Sequence, residues 1–132
     1  MELLGTILLF IVIFGLIILL HEGGHFLVAK REGMKVREFA FGFPPRLFSK
    51  RWRGTQYSLN LVPLGGYVSI VGEDTDSDDA DAFNKKSPWA RLRVALAGIV
   101  MNVVLAWVLL ILFFWIAPLT ATIDAVAVAS VL

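Results

Sequence analysis

The sequence predicts a mainly α membrane protein, with two transmembrane helices and a small membrane-associated β-sheet region between them. Three observations predict it. The 132-residue chain is 58% hydrophobic with a mean hydropathy of +0.76, more apolar than soluble domains, which are about half apolar. Two long runs, Leu3 to Leu20 and Val94 to Leu119, carry no charge. All twelve Lys and Arg residues lie between Lys30 and Arg93.

Leu3 to Leu20 reads LLGTILLFIVIFGLIILL. As a helix its length is about 27 Å, close to the ~30 Å hydrocarbon core. A secretory signal would place positive charge ahead of the apolar run. Here only Met1 and Glu2 precede it, and Lys30 and Arg31 follow. The run therefore reads as a spanning helix within segment 1–31. The second run, within segment 89–119, is long enough to span with some tilt, and Pro118 suits its end. By the positive-inside rule the basic stretch between the spans faces the cytoplasm and both termini face outward. Arg91 and Arg93 then flank the inner end of the second helix, and Trp115 sits near its outer interface.

Segment 32–72 has a different texture. VREFAFGF alternates loosely until Pro44-Pro45, and QYSLNLV alternates with Tyr57, Leu59 and Leu61 on one side. Gly65-Gly66 supplies turn chemistry. We expect several short strands forming a small sheet against the inner membrane face. Phe39, Phe41, Phe43, Phe48 and Trp52 suit either contact with lipid headgroups or the sheet's own core. Segment 73–88 begins with an acidic run. Asp74, Asp76 and Asp78 match alternate positions of a calcium loop, but Asp79 stands where Gly is needed and Lys85 where Glu is needed. A solvated loop is the better reading. The absence of cysteine excludes disulfides and thiolate metal sites.

His21-Glu22-Gly23-Gly24-His25 carries the chemistry. Residues four apart share a helix face, so both imidazoles can meet one metal ion, and neutral imidazole suits Zn²⁺. Glu22, next to the first ligand, can take a proton from water that zinc acidifies. His21 and His25 are thus candidate metal ligands and Glu22 the candidate base. The helix must run through two glycines, each costing about 1 kcal/mol against alanine; their small size would leave space beside the metal. Chance can also produce this motif in a purely structural helix. Here both of the chain's histidines fall in it, and an ionisable group at the end of an apolar span is a functional candidate. A catalytic zinc site takes three protein ligands. Asp124 belongs to the opposite side of the membrane, and Asp74 to Asp81 fall in the loop. The third ligand is therefore expected from outside this chain.

These pieces resemble the site-2 protease family, in particular bacterial zinc-dependent intramembrane proteases of the regulator-of-sigma-E type. The resemblance covers nearly the whole chain. It rests on HEGGHFLVAK after an apolar helix, FAFGFPP, GTQYSLNLVPLGGYVSIVGE and DAFNKKSPWARLRVALAGIVMNVVLA. It implies that His21 and His25 hold Zn²⁺, that Glu22 is the general base, and that the β-region helps admit an extended substrate. Gly98 and Asn102 would match a glycine and an asparagine of the second helix near the active site. A polar interhelical contact is the favoured reading of at least part of the role of Asn102. The implied partners are the lipid bilayer and single-span membrane proteins such as anti-sigma factors, with no nucleic acid. The implied location is the bacterial inner membrane, multi-pass, with 32–88 cytoplasmic. Two departures stand out. Ile99 occupies a position where the family usually has proline, and the family's Leu-Asp-Gly motif, bearing its third ligand, is absent. Segment 120–132 alternates like the first strand of a PDZ-like domain, so an N-terminal fragment of a longer enzyme is expected. The alternatives are a non-catalytic membrane remnant or binding module retaining the motif, and a membrane zinc peptidase of another family, against which PLGGYV argues.

Overall fold

A computed structural model describes Glu2–Ala129, with side chains described as far as Ile116. The element order is α1 (Glu2–Arg31), β1 (Val36–Trp52), β2 (Thr55–Ile70), a 3-10 turn (Phe83–Lys85) and α2 (Pro88–Ala129). Two long apolar helices thus flank a two-stranded antiparallel sheet. Each helix is long and apolar enough to cross a membrane. The chain divides into two compact units, Met1–Asn102 and Val103–Leu132. The first holds α1, the sheet, the loop and the start of α2; the second continues α2.

Local chemistry sets the helix ends. Gly33, at φ +67°, takes the left-handed conformation that terminates α1. The Met34 N–H reaches back to the Ala29 carbonyl at 2.9 Å and the Gly33 N–H to that of Lys30 at 3.1 Å. Ser87 caps α2 with its hydroxyl oxygen 3.3 Å from the Ala90 N–H, and Pro88 takes the first helical position, where its missing N–H costs nothing. The Arg93 guanidinium forks onto both Glu32 carboxylate oxygens, at 2.8 and 2.9 Å. This pair ties the end of α1 to the first turns of α2.

The sheet differs from the expected set of short strands. Two strands of 17 and 16 residues are each used along more than one ladder. Near its start β1 pairs Val36 with Ile70 and Phe41 with Gly66. Past Pro44-Pro45 it pairs Arg46 with Asn60 and Trp52 with Thr55, while Glu38–Phe41 also lie opposite Gln56–Leu59. The prolines and glycines that suggested strand ends mark changes of register inside longer strands. Arg53 and Gly54, both at positive φ, form the two-residue turn between them.

The alternation of β2 is present, with polar residues on its inward side. Thr55, Ser58 and Asn60 are buried, and Leu59 and Leu61 are exposed. Thr55 donates to the Val36 carbonyl at 3.0 Å and Asn60 to that of Gly42 at 2.8 Å, so the buried polar groups are satisfied. The aromatic residues divide. Phe39 packs on Phe26 of α1, and the Phe41 ring lies against Gly15. Phe43, Phe48 and Trp52 remain exposed.

Below the site, Ala29, Met34, Val36, Ile70, Ala90 and Val94 form one buried cluster. It gathers the end of α1, the paired start of β1 and end of β2, and the start of α2. The acidic loop is tied to this end through ion pairs of Asp78 with Lys85, Asp79 with Lys35, and Asp81 with Lys86. The Lys35 pair, through direct hydrogen bonding, holds the Asp79 carboxyl below its usual range.

α2 also runs further than segment 89–119. It passes Pro118 and includes 120–129, where alternation predicted a strand. Without a described neighbouring strand to pair with, a helix satisfies these backbone groups internally. Residues 130–132 of that expected strand lie outside the described residues.

Candidate metal centre

His21, Glu22 and His25 lie in the C-terminal half of α1, all partly buried. The i, i+4 spacing brings the two imidazoles onto one face, with their Nε2 atoms 3.2 Å apart. Two nitrogens bound at ~2.05 Å on adjacent vertices of a tetrahedral metal stand about 3.3 Å apart. The pair therefore has the spacing that one zinc ion requires.

α2 supplies the second wall through a single stripe, Val94, Gly98 and Asn102, again at i, i+4 spacing. His25 Nδ1–H donates to the Val94 carbonyl oxygen at 2.7 Å. A carbonyl only accepts, so this bond leaves Nε2 of neutral His25 with its lone pair free for a metal. The Asn102 amide lies 3.1 Å from His21 Nδ1. Between them, a β-carbon on Gly98 would fall against both Nε2 atoms. Because Val94 meets His25 and Asn102 meets His21, the two helices run antiparallel through the site.

The two glycines of the motif do different things. A β-carbon on Gly24 would come within 2.6 Å of the Ala97 carbonyl oxygen, so at Gly24 α1 packs directly on the backbone of α2. Around Gly23 nothing lies within 4 Å of that position. Only Gly23 leaves open space, as expected of the pair.

Glu22 lines a cleft of about 250 Å³ with His25, Gly66, Tyr67, Glu73 and Val94. The sheet reaches it through Gly66, where a β-carbon would stand 3.2 Å from the Glu22 Cγ. Glu73, an exposed residue, also lines this cleft. Partial burial, then the neighbouring Asp74, raises its pKa above the usual carboxylate value. Sequence reasoning gave Glu73 only to the acidic loop. It also missed the Val94 carbonyl, since a backbone acceptor leaves no mark in residue type.

Among the described residues no third His, Cys, Asp or Glu joins the two histidines. The loop acids do not complete the set, and the side chain of Asp124 is not among those described. The donors present thus fit zinc as two of the three ligands a catalytic site takes.

The model of peptidase family M50 matches residues 9–130. The chain belongs to peptidase family M50. This is the site-2 protease family that the motifs resemble. A Clostridium acetobutylicum protein provisionally named a zinc metalloprotease is 47% identical over 104 residues, covering 79% of this chain and 31% of that protein. Zinc metalloprotease Rip1 of Mycobacterium bovis is 45% identical over 109 residues, covering 76% of this chain and 27% of its own length. Zinc metalloprotease RasP of Oceanobacillus iheyensis is 49% identical over 71 residues, 54% of this chain and 17% of its own. This M50 chain therefore spans less than a third of the length of the relatives it matches.

Proposed function

We propose that this M50 chain carries the zinc-binding half of a metalloendopeptidase that cleaves transmembrane segments of single-span membrane proteins, such as anti-sigma factors, in the bacterial inner membrane. The observation that carries the reading is the pair of Nε2 atoms 3.2 Å apart, with Glu22 in the adjoining cleft. His21 and His25 hold Zn²⁺, and a third protein ligand comes from outside the described residues. When bound, the ion acidifies water and polarises the scissile carbonyl. The Glu22 carboxylate takes a proton from the attacking water and returns it to the departing amide nitrogen. The sheet, reaching Glu22 through Gly66, guides an extended substrate segment toward it. Both apolar helices cross the bilayer with 32–88 on the cytoplasmic side, as the basic residues between them favour.

The test uses the intact protein in membranes. Glu22→Gln should abolish cleavage of a single-span substrate while zinc binding persists. Undiminished cleavage would remove Glu22 from the role of base. Zinc binding that survives His21→Ala with His25→Ala would remove the metal site. The second reading, a non-catalytic remnant, draws support from the absence of a third ligand among the described residues. Zinc binding by the intact protein without any peptidase activity would favour it.

A further inference from the structure

We infer that Asn102 is a positioning residue for the metal, holding His21 in the tautomer that presents Nε2 as a ligand. The inference rests on the zinc reading above and goes beyond it.

The two histidines are anchored unequally. His25 is fixed by the Val94 carbonyl, a group that can only accept, so its Nδ1 keeps the proton. His21 has the Asn102 amide instead, which can offer either a donor or an acceptor. With the amide nitrogen 3.1 Å from His21 Nδ1, the imidazole would carry its proton on Nε2, and that nitrogen could not bind a metal. In the same arrangement the amide oxygen of Asn102 is buried with no hydrogen-bond partner among the described residues. The two ends of an amide differ by a half-turn. That half-turn corrects the tautomer, and it carries the unmet hydrogen bond from the amide oxygen to the amide nitrogen. Oδ1 then accepts a proton from His21 Nδ1–H, and Nε2 is left with a free lone pair facing that of His25. Two lone pairs meeting at 3.2 Å call for a cation between them. The amide orientation, the His21 tautomer and metal binding therefore change together.

The arrangement also explains why one stripe of α2 serves the whole site. Val94 and Asn102 are eight residues apart, two helical turns, and each orients the imidazole nearer to it. Gly98 between them leaves room for the two Nε2 atoms.

The experiment compares the intact protein with its Asn102→Leu and Asn102→Asp variants in lipid nanodiscs. Zinc affinity is measured by competition with a chromogenic chelator, and His21 by imidazole ¹⁵N NMR of the zinc-loaded chain. Losing an acceptor that orients a metal-bound histidine typically costs 10- to 100-fold in metal affinity. Asn102→Leu should lose roughly that much, and the His21 Nδ1–H signal should move to faster solvent exchange. Asn102→Asp, which still accepts but cannot donate, should keep both within a few-fold. Equal affinity in the Leu variant overturns the inference while leaving the zinc reading intact. So does failure of Asp to rescue, or coordination of His21 through Nδ1. Failure of the unsubstituted intact protein to bind zinc overturns both.

Discussion

Gly98 of α2 meets His21 of α1 at a distance that leaves no room for a side chain: a β-carbon on residue 98 would stand 2.5 Å from the His21 Nε2. Gly98 has no left-handed backbone to explain it, so its smallness serves the space between the helices.

Gly98→Ala should therefore push both imidazoles off their shared position. We expect zinc affinity to fall roughly 10- to 100-fold, the range for disturbing the surroundings of a metal site, with the helices still formed by circular dichroism. Unchanged chelator competition would mean that α1 and α2 can separate at no cost.

The paired glycines of the motif should respond in opposite ways. Gly24→Ala forces a methyl against the Ala97 carbonyl and the Met101 side chain, and overpacking of this kind costs about 1–3 kcal/mol. Gly23→Ala meets nothing within 4 Å and should gain up to ~1 kcal/mol of helix propensity. Thermal unfolding in detergent reads both. Equal destabilisation would contradict the close approach at Gly24.

Much of the fold was legible before any coordinates. Two charge-free runs, a basic middle and alternation between them suffice for two helices and a sheet. The paired histidines and Glu22 were legible because residue type and i, i+4 spacing both mark them. Strand length was not, because a bent strand that changes register at Pro44-Pro45 looks in sequence like two strands. Nor was the choice of which face of β2 turns inward. Alternation gives a period, but whether Leu59 or Asn60 turns inward depends on the surrounding medium and on the Gly42 carbonyl that Asn60 satisfies. Extension of α2 through 120–129 was missed for a related reason, since alternating Ala and Val carry no mark of whether a partner strand exists.

The Glu32–Arg93 pair should make the closure of α1 on α2 sensitive to acid and to salt. The Arg93 hydrogen bond holds the Glu32 carboxyl below its ordinary 4.5. The group's folded-state pKa is depressed, so its contribution is full above about pH 4.5 and is lost as pH falls through the lower folded value. Hydrogen exchange at the amides of residues 28–34 should quicken in that acid window. The acceleration should be absent in Glu32→Gln, whose exchange is already fast. Because the pair is exposed, the effect should be small and weaken in high salt. An acid response that persists in Glu32→Gln would assign it to another group.

Asn60→Ala should loosen the sheet where it bends. The buried Gly42 carbonyl would lose its 2.8 Å donor, at an expected cost of about 1–3 kcal/mol, read as a lower unfolding temperature. A change below half a kilocalorie would show that another donor replaces it.

Val94 belongs to two assemblies at once. Its side chain is buried in the cluster formed by Met34, Val36 and Ile70, and its carbonyl holds His25. The two are then thermodynamically coupled. Occupancy at the histidines should raise the melting point of this hydrophobic root, and by reciprocity any residue that loosens the root should weaken metal retention. A substitution at Met34, which touches no ligand, would then present as a metal-binding defect, and a screen for zinc-deficient variants would return positions in the hydrophobic root beside those in the motif.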